Sequence, residues 1–401
     1  MKKPRIDTER HERLIEAMRR AKLDALVLAL PKNVLLATGY YPVVGTSIAI
    51  VTKEGKAMLI APEDEASFYD GCDADKIFSF QGTLEQPTTL LQDISGALKQ
   101  AINIAGLSGR IGIEFDPASQ EASYIAANIY GAGLTSLLNE LTPNATFIPA
   151  DDLLDRERSI FTSKEQQRLK LAVAIAERAY LGGASKLEAG MTEIEAAQYF
   201  QVPLSTYAIA VDTVKRAEGK VSCMSGINSG TAYGAFAMSS RKTIGTQDLI
   251  LTHCNSHADG YWTDITRTFF RGEPPERILR MYEALLAASR MGINAVKPGV
   301  KASHVDSVVR ESLTAAGFGD RFKHGTGHGV GFSAIDHRAI PRLRPNSPDV
   351  LQTGMVMNIE PGIYFEDFGG MRHCDMILVT PEGCELLTPF QHSIDTLIQY
   401  Q

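Results

Sequence analysis

The sequence predicts an α/β (α+β) protein of two domains, residues 1–155 and 156–401, and three observations carry that expectation. The chain is 401 residues long, with 44% hydrophobic and 22% charged residues, enough to fill two cores. Strand-like and helix-like segments alternate up to about residue 150. Beyond Met224 the texture changes to glycine-rich turns, strands and histidine-bearing segments, with eight of the nine histidines at or beyond His253.

In the first domain, Thr8 is placed to cap a helix whose apolar residues Leu14, Ile15, Met18 and Ala21 follow helical spacing. Ala25–Leu30 is a continuous apolar run ended by Pro31, the pattern of a strand covered on both faces. Ser47–Thr52 and Ala57–Ile60 flank the turn Lys53–Lys56 and read as a hairpin, and Ile111–Phe115 reads as a further strand. The polar segment Asp151–Glu157 is expected to cross between the domains.

A long helix follows from about Ser163, with Leu169, Ala172, Val173, Ala176 and Tyr180 as its apolar stripe and Gly182-Gly183 weakening its end. Thr192 and Glu195 form a capping box for the next helix. Another helix is expected over Pro275–Ala295, before Lys297-Pro298-Gly299. No internal repeat or low-complexity segment is visible.

The net charge of −7 argues against nucleic acid or an anionic membrane as partner, because both require a basic footprint. The five cysteines are widely spaced and form no CxxC pair, which excludes a disulfide framework or zinc ribbon. No apolar h-region follows the basic start, and no apolar stretch reaches the ~18 residues needed to span a bilayer, so the reading is cytoplasmic.

Three segments concentrate the chemistry. Leu249–Phe270 reads as two strands around Ala258-Asp259-Gly260, which sets His253 and Asn255 across from Asp264 on one face. His324-Gly-Thr-Gly-His328-Gly-Val-Gly has glycine at four of eight positions, a sign of backbone pressed close against something, with two histidines set in it and His337 beyond. Glu360 follows an apolar strand within Gly354–Tyr364, and a carboxylate between Ile359 and Pro361 requires a cation or hydrogen-bond partners. Met371–Thr380 reads as one strand with Arg372, Cys374 and Met376 on one face and His373 and Asp375 on the other.

These segments, in order with SGINSG, AVKPGV and the N-terminal stretch RLIEAMRRAKLDALVLALPKNVLLATGY, resemble the "pita-bread" superfamily of methionine and Xaa-Pro aminopeptidases, prolidases and creatinase, peptidase family M24. The resemblance covers nearly the whole chain. It implies a creatinase/prolidase-like N-terminal domain, a C-terminal pita-bread domain with an antiparallel sheet, and a homodimer. The metal-binding members use Asp, Asp, His, Glu and Glu, and the resemblance assigns the second Asp to Asp264, the His to His328 and the first Glu to Glu360. His253 falls in place of the first Asp, Cys374 in place of the bridging Glu, and Tyr233 in place of a histidine. His337 and Arg372 match retained family positions.

Chemically, His253 removes a negative charge, and Cys374 offers one soft donor in place of two carboxylate oxygens, so a pair of manganese, cobalt or magnesium ions is disfavoured. The expected cofactor is one divalent ion, zinc or manganese, held by Asp264, His328, Glu360, Cys374 and His253, or none; four protein ligands on zinc would leave no open position. The expected activity is hydrolysis of a C–N bond in a dipeptide or small amino-acid-like amide. His328, His337, Glu360, Arg372 and Asp264 are the catalytic candidates, with Tyr233, His324 and Arg372 on the substrate. A metal-free small-molecule C–N hydrolase or a lyase on the same fold, and a non-catalytic relative, stand as alternatives.

Overall fold

The computed structural model describes residues 5–81, 89–116, 131–234 and 238–399. The chain divides into two units, Met1–Arg158 and Ser159–Gln401. The first runs α1 (Thr8–Arg20), β1 (Ala25–Leu28), α2 (Pro31–Thr38), β2 (Ile48–Thr52), β3 (Ala57–Pro62), α3 (Ala66–Tyr69), β4 (Lys76–Phe80), α4 (Leu90–Ala105), β5 (Gly109–Ile113), α5 (Ala132–Leu141), β6 (Ala145–Pro149) and α6 (Asp151–Ser159). Its strands form one mixed sheet in the order β4-β3-β2-β1-β5-β6.

The apolar run behaves as its composition predicts. Ala25, Val27 and Ala29 pack with Ile94, Leu98, Leu134 and Leu138 of α4 and α5, while Leu26 and Leu28, facing the other way, are equally buried. The β2–β3 hairpin forms as expected, with Val51 opposite Ala57. Two local expectations are corrected, and one segment expected only to lie between the domains takes a defined form. Asp7, not Thr8, caps α1, its carboxylate accepting from the Arg10 N–H at 2.9 Å. Pro31 opens a helix as well as ending a strand, since its missing N–H is no loss in a first turn. Asp151–Glu157 is helical, with Asp151 and Asp152 in the first turn and Arg156 and Arg158 in the last, the charge order a helix dipole favours.

The second unit runs α7 (Ser163–Ala184), α8 (Glu193–Ala208), β7 (Ala217–Ser225), β8 (Leu249–Ala258), β9 (Tyr261–Arg271), α9 (Glu276–Ala295), α10 (Ala302–Ala315), β10 (Gly327–His328), β11 (Arg342–Leu343), β12 (Val356–Ile359), β13 (Gly362–Phe365), β14 (Gly369–Arg372), β15 (Asp375–Val379), β16 (Cys384–Leu386) and β17 (Ile398–Gln399). Capping boxes at Thr162/Glu165 and Thr192/Glu195 start α7 and α8. The stripe from Leu169 to Tyr180 is buried, but α7 continues through Gly182-Gly183, because the Phe200 ring packs directly on the bare Gly183 backbone.

β7, β8 and β9 make one antiparallel ladder. The shorter ladders β13-β14 and β12-β15-β16 flank the bridge Thr266–Cys374 to it, and the bridge Gly329–Met357 ties the β10 segment to β12. This is the antiparallel sheet implied for the second domain. The expected single strand over Met371–Thr380 is instead two, β14 and β15, interrupted where the Cys374 N–H turns to the Thr266 carbonyl at 3.0 Å. No helix among the described residues is long and apolar enough to cross a membrane.

Candidate active site

Two backbone devices set the site. Asp259 (φ 48°) and Gly260 (φ 86°) make a two-residue turn with both residues left-handed, which fixes the β8–β9 register at Asn255–Asp264 and His253–Thr266. The glycines of the His324 segment allow close approach, since a Cβ on Gly327 would overlap the Asn358 carbonyl oxygen. His328 is thereby laid beside β12. Behind the site, fully buried Arg267 donates to Asp375 at 2.7 Å and to the Cys374 carbonyl at 2.7 Å, pinning β9 to the break between β14 and β15. Breaking such a pair by removing one partner costs about 3–5 kcal/mol, so it holds the Cys374 backbone firmly.

On that frame Asp264, Glu360 and Cys374 bring one ligand atom each within 4.8 Å of one another. His328 Nε2 lies 3.5 Å from Asp264 Oδ2 and 3.9 Å from Glu360 Oε1. Arg372 Nε is 4.0 Å from Glu360 Oε2 and donates to Thr266 Oγ1 at 3.0 Å. His253 sits at the edge, Nδ1 at 2.9 Å from Thr266 Oγ1 and 3.6 Å from Asp264 Oδ1. The Cys374 thiol donates to the Asp264 carbonyl at 3.2 Å. Arg372 and Cys374 thus share a side, as period-two spacing predicts, while His373 and Asp375 turn away, 3.1 Å apart.

The remaining candidates stand further out. His324 Nε2 pairs with the Tyr364 hydroxyl at 2.9 Å. Tyr233 donates to Glu366 at 3.1 Å and packs edge-on against Tyr364, ring centroids 5.3 Å apart. His337 is exposed in a turn and makes no hydrogen bond or ion pair with the cluster. Sequence reasoning missed Asn358. Its fully buried side chain stands among the cluster, donating to Asp264 Oδ2 at 3.2 Å and Cys374 Sγ at 3.5 Å. One polar residue inside the apolar run Met355–Ile359 was the available signal. Tyr364, whose hydroxyl meets His324, was missed as well.

The electrostatics divide the group. Burial pushes His253 down to about 4, outweighing the nearby Asp264 charge, and pushes His324 down to about 3 with Arg372 adding to it. Burial also lowers His328, but its bond to Asp264 and the Glu360 and Asp264 charges outweigh this and lift it to about 9. Burial raises Glu360 to about 7 despite Arg372 and His328, and holds the Cys374 thiol well above the usual range.

One prediction follows for His328. Because its folded value, about 9, exceeds its ordinary 6.5, its stability contribution is complete below pH 6.5 and is lost as pH rises through 9. In chelator, wild type is expected to lose on the order of 2 kcal/mol more than His328→Gln between pH 6.5 and 9.5, read from urea unfolding at each pH. Parallel pH profiles for the two proteins would refute the pairing.

A pair of divalent ions does not fit these residues. Adjacent dications need several anionic oxygens, and only Asp264 and Glu360 supply carboxylates. A single ion fits the donor chemistry of Asp264, His328, Glu360 and Cys374, which suits zinc. A second group, His373, Asp375 and His392, lies on the opposite face. Asp375 is already bound to Arg267, whose fixed charge would oppose a dication there.

Comparison with known proteins gives one consistent picture. Residues 167–381 match the metallopeptidase family M24, and residues 10–160 match the creatinase/prolidase N-terminal domain. The chain is 28% identical over 386 residues to an Xaa-Pro dipeptidase of Pyrococcus furiosus, covering 96% of this chain and 99% of that protein. The prolidase structure from Pyrococcus horikoshii superposes with a TM-score of 0.75 at 27% identity, over 96% of this chain and 99% of that one. An Xaa-Pro dipeptidase structure from Bacillus anthracis gives 0.76 at 26% identity, over 98% and 99%.

Proposed function

The chain belongs to metallopeptidase family M24, and from that premise we propose that it hydrolyses the C–N bond of a dipeptide or similar small amide at a centre holding at most one divalent ion. As a member it is a dipeptidase-type hydrolase; the substrate and the altered centre are the proposal. The observation that carries it is the convergence of Asp264, Glu360 and Cys374 within 4.8 Å, with His328 Nε2 3.5 Å from Asp264.

Asp264, His328, Glu360 and Cys374 would hold the ion. When bound with a further position open to solvent, it would polarise the amide carbonyl and lower the pKa of a water. Glu360, whose carboxyl burial raises in the ion-free site, stands where it can take a proton from water and return it to the leaving nitrogen. Arg372, 4.0 Å from Glu360, keeps positive charge on the side where oxyanion character or a substrate carboxylate would develop. The His324–Tyr364 pair, with Tyr233 against it, is proposed to border the substrate. A cytoplasmic homodimer completes this reading on the strength of the resemblance alone.

The Xaa-Pro dipeptidase relatives suggest the assay. Hydrolysis of Xaa-Pro dipeptides is expected with one equivalent of zinc or manganese, to be lost in chelator, and to be weaker with C-terminally amidated dipeptides. A protein that cleaves none of these with either ion overturns the dipeptidase reading. Hydrolysis indifferent to chelator would favour metal-free acid–base catalysis, for which the pairing of His328 with Asp264 and Glu360 is the supporting observation.

A further inference from the structure

We infer that Asn358 is the internal competitor of the ion: its side-chain amide takes the place among the ligands that a divalent cation would occupy, and so sets the affinity of the centre. The inference rests on the ligand set proposed above. Nδ2 of Asn358 lies 3.2 Å from Asp264 Oδ2, 3.4 Å from His328 Nε2 and 3.5 Å from Cys374 Sγ. Three of the four candidate ligand atoms therefore converge on one nitrogen.

The orientation of the amide is determined by its other end. Oδ1 accepts the His328 backbone N–H at 2.7 Å, so the amide cannot be turned over without facing two donors toward each other. Nδ2 is thus held toward the ligands, and the side chain is fully buried with no other outlet. Its backbone is equally fixed, because β12 pairs Asn358 with Met376 of β15.

An amide N–H offers these ligands hydrogen bonds but no charge. It satisfies Asp264 and Cys374 without drawing the thiol toward thiolate, whereas an ion would. An entering cation must break these bonds and move the amide aside, while retaining the His328 N–H contact or replacing it. The residue consequently penalises loading and keeps the ligands assembled between loadings. A smaller residue that still accepts from His328 removes the penalty.

The test is calorimetric titration of Zn²⁺ into the full chain, comparing wild type with Asn358→Ser and Asn358→Ala, and Asn358→Ser combined with Asp264→Asn. Serine retains a hydroxyl acceptor, so one variant remains informative if alanine fails to fold. Zinc is expected to bind about tenfold or more tightly to Asn358→Ser than to wild type, the scale of displaced buried hydrogen bonds, with the gain abolished by Asp264→Asn. Equal or weaker zinc binding to folded Asn358→Ser, alongside measurable binding to wild type, overturns the role of Asn358 and leaves the ligand set standing. Absence of binding in every protein overturns the ligand set and this inference with it.

Discussion

Glu360→Gln is expected to lower kcat for dipeptide hydrolysis by on the order of 10³ while leaving the protein folded. Glutamine keeps the shape but cannot take a proton or carry a ligand charge, so the loss is expected whether the chemistry uses an ion or not. Stability moves the other way. The Glu360 carboxyl sits at about 7 against an ordinary 4.5, so its folded-state contribution is present below 4.5 and is lost as pH rises through 7. At pH 8 the glutamine variant is therefore expected to be at least as stable as wild type. Inactivity with unchanged or raised melting temperature identifies a chemical role. Wild-type kcat in the variant removes Glu360 from the mechanism.

The second large effect concerns His253 and Cys374, the two residues proposed to distinguish this centre. His253 presents Nδ1 to Thr266 rather than an anionic oxygen to an ion, and its burial keeps it neutral, near 4. Cys374 holds its proton and donates it to the Asp264 carbonyl. Replacing them together, His253→Asp with Cys374→Glu, adds up to two carboxylates to the two already in the cluster. The double variant is expected to retain more manganese than wild type after gel filtration, approaching a second ion per chain, measured by elemental analysis. Equal manganese in both proteins would show that these residues are not what disfavours the pair.

How far the sequence reveals this site depends on the kind of signal. The β8–β9 hairpin was legible because Asp259-Gly260 dictates a turn whose register places Asp264 correctly. Glu360 was legible because a carboxylate inside an apolar stretch has to be paired, and it meets Arg372 and His328. The glycines around His328 announced close packing, which β12 supplies. Asn358 was marked only as one polar residue in an apolar strand, and tertiary packing is what shows which groups its amide faces. The break at His373–Cys374 was hidden because side-chain alternation survives the loss of the ladder there. His337 shows the reverse limit: a histidine matched by motif stands exposed in a turn, apart from the cluster. The helix over Asp151–Glu157 was not anticipated, because its polar composition hides the burial of Leu154, Asp155 and Glu157.

The central claim is that this fold keeps the hydrolase scaffold while its centre holds no ion pair. Elemental analysis of the wild-type protein, equilibrated with manganese or zinc and freed of unbound metal, tests it most directly. At most one ion per chain is expected. Two tightly held ions per chain would contradict the account.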